Sequence, residues 1–224
     1  MKDRDAPSAL RFLPHDLLVL DRMESFACAS PRPPWVDFVL SGLCIVVVRR
    51  GLRKNGLIPV GLRGATRAER CAGMVARQHV MACITPESLI ESTAWREHPR
   101  LTIIPAMRHL EQVYRVWSSC GFHWGPTGSV GFELAAHRPV AHGASDLDLR
   151  ILCPNLVPVS EARGLLHLAR SSETRVDVQL ETPAGAVALA EYVRQPARML
   201  LKTDQGPRLT SNPWLIQSLP EEAL

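Results

Sequence analysis

Lysine is nearly missing from this 224-residue chain, with three residues against 23 arginines, and aromatic side chains make up only 5% of it. Arginine is the cation that grips phosphate with two parallel hydrogen bonds, so the bias suits phosphate recognition, although base composition of a source genome produces the same bias. No aromatic residue is interleaved among the arginines between Leu43 and Val80, which speaks against a single-stranded nucleic-acid platform built on base stacking. No two of the six cysteines stand closer than Cys71 and Cys83, so CxxC half-sites for zinc or thiol exchange are excluded. The thiols are expected to be reduced and mostly buried. The longest clean apolar run, Leu43 to Val48, falls far short of the roughly 20 residues that a membrane helix needs. MKDRDAPSALRFLPHD mixes acids and bases ahead of any apolar core, so a secretory leader is not expected and a cytoplasmic location is. GxxxxGK, GxGxxG and HExxH are all missing, and Thr127 stands where a GxSxG elbow would need glycine.

What is present is an ordinary globular composition, 46% hydrophobic and 21% charged with a net charge of +4. That charge is unevenly placed. Residues 1–108 carry 16 basic and 10 acidic side chains, whereas residues 109–224 carry 10 and 12. The basic excess makes a local field favourable to a polyanion, or simply a solvated basic face.

The coarse pattern is α+β, in two parts. Up to about Pro34 the chain reads as irregular, with one short apolar piece, DLLVLD, before the turn-forming SPRPP; CIVVVRR and GLIPVGLRG read as strand-like pieces forming a hairpin, and ATRAERCAGMVARQHV carries helix formers and predicts a helix. TPESLIES opens as a helix does, with Thr, Pro and Glu in order. Pro99 and Pro105 bracket the place where the charge balance changes sign, which predicts a smaller, basic N-terminal α+β domain over 1–108 and a second domain over 109–224. HLEQVYRVWSSC and a segment from Ser160 to Arg170 predict helices, and the proline-bearing tail from Gln205 is expected to wrap the surface. Glu133 is expected on a helix surface.

The chemistry concentrates after Trp124. GPTGSVGFELA is a glycine-rich turn entering a helix, and unpaired N–H groups at a helix start, together with the helix dipole, favour an anion at Gly128 and Ser129. SDLDLRIL alternates with period two, setting Leu147, Leu149 and Ile151 on one face and Asp146, Asp148 and Arg150 on the other. Two carboxylates so placed have Cα atoms roughly 6 to 7 Å apart and can reach one ion; a solvated strand face is the plainer alternative. TRVDVQLET alternates again, with Arg175, Asp177, Gln179 and Glu181 sharing a face, so Asp177 can join the pair. Three carboxylates facing an anion site are what metal-assisted phosphoryl transfer requires.

Gly-Ser, a helix, SDLDL and then a later strand with a single Asp resemble the polymerase-beta-like nucleotidyltransferase superfamily. The resemblance implies a C-terminal domain with a mixed sheet and helices, a triphosphate held at Gly128 and Ser129, and Asp146, Asp148 and Asp177 as catalytic residues binding Mg2+. The 17-residue step from Ser129 to Asp146 is longer than in compact members. Nearly the whole chain is similar to a narrower family. PHDLLVL, VVVRRG, IPVGLRGATRAER, TPESL, GSVGFELA, SDLDL and GPRLTSNPW resemble the malonate decarboxylase holo-acyl-carrier-protein synthases, the phosphoribosyl-dephospho-CoA transferases. That resemblance implies transfer of the 2′-(5″-phosphoribosyl)-3′-dephospho-CoA group from triphosphoribosyl-dephospho-CoA to a serine of the apo acyl-carrier subunit of malonate decarboxylase, releasing pyrophosphate. It implies neither a nucleic-acid nor a membrane partner. It implies that the basic half binds the substrate, at its triphosphate or its dephospho-CoA tail, or the acidic surface of the carrier protein; Arg63 and Arg67 of that half, and Lys202, are the further candidates for the triphosphate, and a surface position in the tail is the plainer reading of Lys202. Another Mg2+-dependent nucleotidyltransferase, or a non-catalytic binding protein of this fold, is the alternative.

Overall fold

The computed structural model describes residues 11–28, 31–64, 66 and 68–216. By its contacts the chain divides into two units, and the division falls between Cys83 and Ile84. The short segment Arg50–Lys54 groups with the second unit. The charge-sign change at 108/109 therefore does not coincide with the contact boundary. Pro105 is instead the first residue of a helix inside the second unit, where its fixed φ and missing N–H cost nothing.

The N-terminal unit holds β1 (Leu17–Leu20), β2 (Ala27–Cys28), helix α1 (Pro34–Gly42), β3 (Ile45–Val48), β4 (Leu57–Arg63), β5 (Arg70–Ala76) and β6 (Val80–Ile84). They form one sheet in the order β2-β5-β4-β3-β1-β6. The expected β3–β4 hairpin is present as an antiparallel pair. Its core gathers Leu18, Phe26, Val36, Leu40, Val46, Val60 and Val75, all almost fully buried.

The helix expected over ATRAERCAGMVARQHV is instead β5 followed by a single 3-10 turn at Arg77–His79. Seven consecutive residues pair with β4, from Leu57 opposite Ala76 to Arg63 opposite Arg70. That ladder outweighs local helix propensity, which is worth less than about 1 kcal/mol per residue. Gly73 marks the strand: a Cβ there would lie 2.5 Å from the Phe26 ring and 2.7 Å from the Ala27 carbonyl oxygen.

The second unit contains α2 (Pro86–Glu91), α3 (Pro105–Trp117), β7 (His123–Pro126), α4 (Gly128–Ala136), β8 (Leu147–Leu152), α5 (Val159–Leu168), β9 (Val176–Thr182), β10 (Gly185–Ala188), α6 (Leu189–Arg194), β11 (Met199–Thr203) and β12 (Gly206–Thr210). Its sheet runs β12-β11-β10-β9-β8-β7. The β8–β9 pair is parallel, joined by the crossover helix α5, while the other pairings are antiparallel. The predicted fold class, α+β with a mixed C-terminal sheet, is what the chain adopts. Leu147, Leu149, Ile151, Val178 and Leu180 turn inward on a core shared with Met107, Leu110 and Val113 of α3 and Leu165 of α5. The start of the tail forms the hairpin strand β12 against β11 rather than wrapping the surface; residues 217–224 lie outside the described part. Of the six cysteines, all free, only Cys153 is buried, so the expectation of mostly buried thiols does not hold. Among the described residues no helix is long and apolar enough to cross a membrane.

Candidate active site

The parallel β8–β9 pairing decides where the acids meet. In its register Asp148 stands directly opposite Asp177, so their carboxylates occupy neighbouring strands at one level, about 4.8 Å apart at the backbone. Asp146 precedes β8 by one residue and leads into the same face. The strand is anchored at this end by Leu147 N–H donating to the Arg175 carbonyl (2.8 Å) and Thr127 N–H donating to the Asp148 carbonyl (2.8 Å).

The second of those bonds ties the α4 start to the acids. Gly128, first residue of α4, has φ +59, which favours glycine. A Cβ at this position would sit 2.1 Å from Asp148 Oδ2. The turn is therefore shaped to the carboxylate beside it, and the helix begins, with its unpaired N–H groups and positive dipole end, next to that carboxylate. Gly131 allows a similar approach, since a Cβ would lie 2.3 Å from the Pro126 carbonyl oxygen.

Burial pushes the Asp148 carboxyl above its ordinary 3.8, and the charges of Asp177 and Asp146 push it further; Arg175 and Lys202 act in the opposite sense. Three acids and two cations thus share one electrostatic neighbourhood. Arg175 Nη2 donates to Asp177 Oδ1 (3.2 Å) and lies 3.0 Å from Oδ2 in an ion pair. Lys202 stands opposite Ala186, and its Nζ donates to Gln179 Oε1 (3.2 Å). It reaches over β10 because Ala186 and Ala188 are small. Lys202, for which a surface position was the plainer expectation, is therefore a residue of β11 on the sheet face that carries the acids.

Further along, the face is fastened rather than open. Arg150 is 1% exposed and makes a two-pronged bond to Glu87 of α2, Nε to Oε1 at 2.9 Å and Nη2 to Oε2 at 2.6 Å. Beside it α2 lies directly on β7: a Cβ on Gly125 would fall 1.9 Å from the Pro86 carbonyl oxygen. Glu181 pairs with Arg50. Burial raises the Glu181 carboxyl, and Arg50 opposes the rise.

Glu133 is not on a helix surface but fully buried. Its Oε2 accepts Val140 N–H and Ala141 N–H, both at 2.7 Å, and its Oε1 accepts Arg100 Nη1 at 2.7 Å. This carboxylate holds down the start of the long step between α4 and β8. The signal in the sequence was an acid set among the apolar residues of GFELAA. Glu87 had no such signal, because its partner lies 63 residues away.

The structure thus brings Gly128, Asp146, Asp148, Asp177 and Lys202 together, with Ser129 in the first turn of α4. Arg63 belongs to the N-terminal unit, at the end of β4 opposite Arg70, and Arg67 lies outside the described residues. Among the described residues no three His, Cys, Asp or Glu side chains close into a ready-made metal cage. The donor set is nonetheless of the right kind for magnesium, which is held by one or two carboxylates and completes its shell with water and substrate phosphate.

Comparison with known proteins extends this. Residues 92–213 match the family model described as the phosphoribosyl-dephospho-CoA transferase MdcG C-terminal domain, and residues 13–86 match its N-terminal domain. The chain belongs to the MdcG family. A phosphoribosyl-dephospho-CoA transferase of Pseudomonas putida (strain GB-1) is 40% identical over 91% of this chain and 96% of its own length. A relative of the same name from Klebsiella pneumoniae (strain 342) is 39% identical over 90% and 95%. Another, from Pseudomonas syringae pv. tomato, is 42% identical over 92% and 95%. No solved structure matches the chain. The two MdcG models meet between residues 86 and 92, close to the contact boundary at Cys83 and Ile84. The protein is a transferase.

Proposed function

We propose that the protein transfers the 2′-(5″-phosphoribosyl)-3′-dephospho-CoA group from its triphosphate precursor to a serine hydroxyl of the apo acyl-carrier subunit of malonate decarboxylase, in the cytoplasm, with release of pyrophosphate. The observation that carries the reading is the register of Asp148 opposite Asp177 beside the α4 start, where a phosphate chain and carboxylates can share one place. The names of the relatives support the donor class.

In this reading the N–H groups at Gly128 and Ser129 bind the donor's phosphate oxygens, aided by the positive end of α4. Lys202 approaches the same phosphates from β11. Asp146, Asp148 and Asp177 are the side chains that would hold Mg2+. When bound, the ion neutralises charge on the transferring and leaving phosphates. The carboxylates orient the incoming serine hydroxyl, which forms the new P–O bond as the bond to pyrophosphate breaks and gives up its proton to the carboxylate cluster. Arg63 and Arg67 belong to the basic N-terminal half, which on the family resemblance contacts the donor's triphosphate, its dephospho-CoA tail or the acidic surface of the carrier protein.

The deciding experiment is intact mass of the apo carrier subunit after incubation with the protein, Mg2+ and triphosphoribosyl-dephospho-CoA, with ATP and CTP as parallel donors. A gain equal to the phosphoribosyl-dephospho-CoA group, abolished by EDTA, is expected. A gain with ATP or CTP alone overturns the donor and keeps the chemistry, and no gain with any donor overturns the acceptor.

A further inference from the structure

Asp177 differs from its two companions in already having a cation on it. Arg175 stands two residues earlier on the same strand face, and one of its nitrogens lies within 3.2 Å of both Asp177 oxygens. Those are the atoms that a divalent ion at Asp177 has to use. The arginine side chain is 71% exposed and the aspartate 43%, so the pair sits at the mouth of the face rather than beneath it. Its backbone is fixed, since the Arg175 carbonyl accepts Leu147 N–H at the head of β8. A long side chain on a fixed base can swing without disturbing the strands. Arg150 shows the contrasting case: on the same sheet face it is buried, gripped by both oxygens of Glu87, and has no room to move.

We propose that Arg175 is an exchangeable counter-ion, competing with the divalent metal for Asp177 and passing to the donor's phosphate chain when the metal takes its place. The inference rests on the metal reading of the three aspartates. The guanidinium fits both stations, since it pairs with two-oxygen anions of either kind, carboxylate or phosphate. Its charge also keeps Asp177 aligned beside Asp148 until the exchange, which offsets repulsion between the facing carboxylates.

The test is Arg175→Ala, with Mn2+ as the probe. Loss of the free Mn2+ electron paramagnetic resonance signal measures metal binding without donor, and steady-state transfer supplies KM and kcat. Removing an exposed competitor is expected to tighten Mn2+ binding by about two- to fivefold. Losing a charged contact to phosphate is expected to raise the donor KM by about tenfold, with kcat changing less. A purely structural arginine would not improve metal affinity. Mn2+ affinity that is unchanged or weaker, or tighter binding with an unaltered donor KM, overturns the proposal. Asp146→Asn and Asp148→Asn separate this from the reading beneath it. If they lose Mn2+ while Arg175→Ala leaves it unchanged, only the exchange fails; if they bind Mn2+ like the wild type, the metal reading itself fails.

Discussion

The two six-stranded sheets are built from different materials. None of the six strands of the first carries an Asp or Glu, and β1, β3, β4, β5 and β2 are linked by antiparallel ladders. The second contains Asp148, Asp177 and Glu181, and one parallel pair. The parallel pair is where the acids meet, for a geometric reason. Asp148 and Asp177 each occupy the second position of their strands, and two strands running the same way bring their second positions side by side. Antiparallel pairing would have sent them to opposite ends. The crossover helix α5 is thus what turns two separate carboxylates into one site.

If that division holds, damage to the aspartates at the head of β8 removes activity and leaves the fold, and the largest effect follows. Asp146→Asn or Asp148→Asn is expected to lower transfer by about 10³-fold or more, measured by carrier mass gain, with the circular dichroism spectrum unchanged. Normal turnover in either variant would break the comparison. The reverse case is Glu87→Ala, which leaves Arg150 charged, buried and without its carboxylate. A loss of about 3 to 5 kcal/mol in urea unfolding is expected, and Glu87→Leu combined with Arg150→Met should recover most of it. Failure of the double variant to recover would give the pair a role beyond packing.

Two smaller effects sharpen the contrast. Gly128→Ala forces a methyl toward Asp148 Oδ2 at a positive φ. About 1 to 2 kcal/mol of stability is expected to go, with a drop in kcat larger than that loss of fold explains. Gly73→Ala, crowding Phe26 in the acid-free sheet, is expected to lower the melting temperature while leaving kcat of the folded fraction intact. The smallest effect is one of pH. Because the folded Asp148 carboxyl lies above its ordinary 3.8, folding favours its protonated form. The associated stabilisation is present below about pH 3.8 and is lost as pH rises through the raised value. In EDTA, from about pH 4 to pH 7, the wild-type melting temperature should therefore fall relative to that of Asp148→Asn. Parallel curves would show that burial and the neighbouring acids do not act on that carboxyl.

Much of the site was legible because it is local. Period-two alternation placed Asp146, Asp148 and Asp177, and the turn chemistry of GPTGSVG placed the helix start. The same alternation set Arg175 on the Asp177 face, although nothing in it said that the two side chains would bond. What stayed hidden depends on partners distant in the chain. Arg70, Ala72, Met74 and Ala76 are good helix formers until β4 offers them a ladder, and Glu87 is an unremarkable first-turn acid until Arg150 pairs with it. Glu133 illustrates the middle ground, since its apolar neighbours show that its face is buried but not that two backbone N–H groups wait there.

That clamp also governs where the chain can change length. The step from Ser129 to Asp146 is long, yet Val140 and Ala141 are pinned to Glu133, and Arg100 closes over the Ala141 carbonyl at 2.8 Å. Between the left-handed residue His137, which ends α4, and Val140 there remain two residues. Residues inserted there are expected to be absorbed upstream of the clamp, leaving the distance from Ala141 to Asp146, and with it the aim of the acids, as it is.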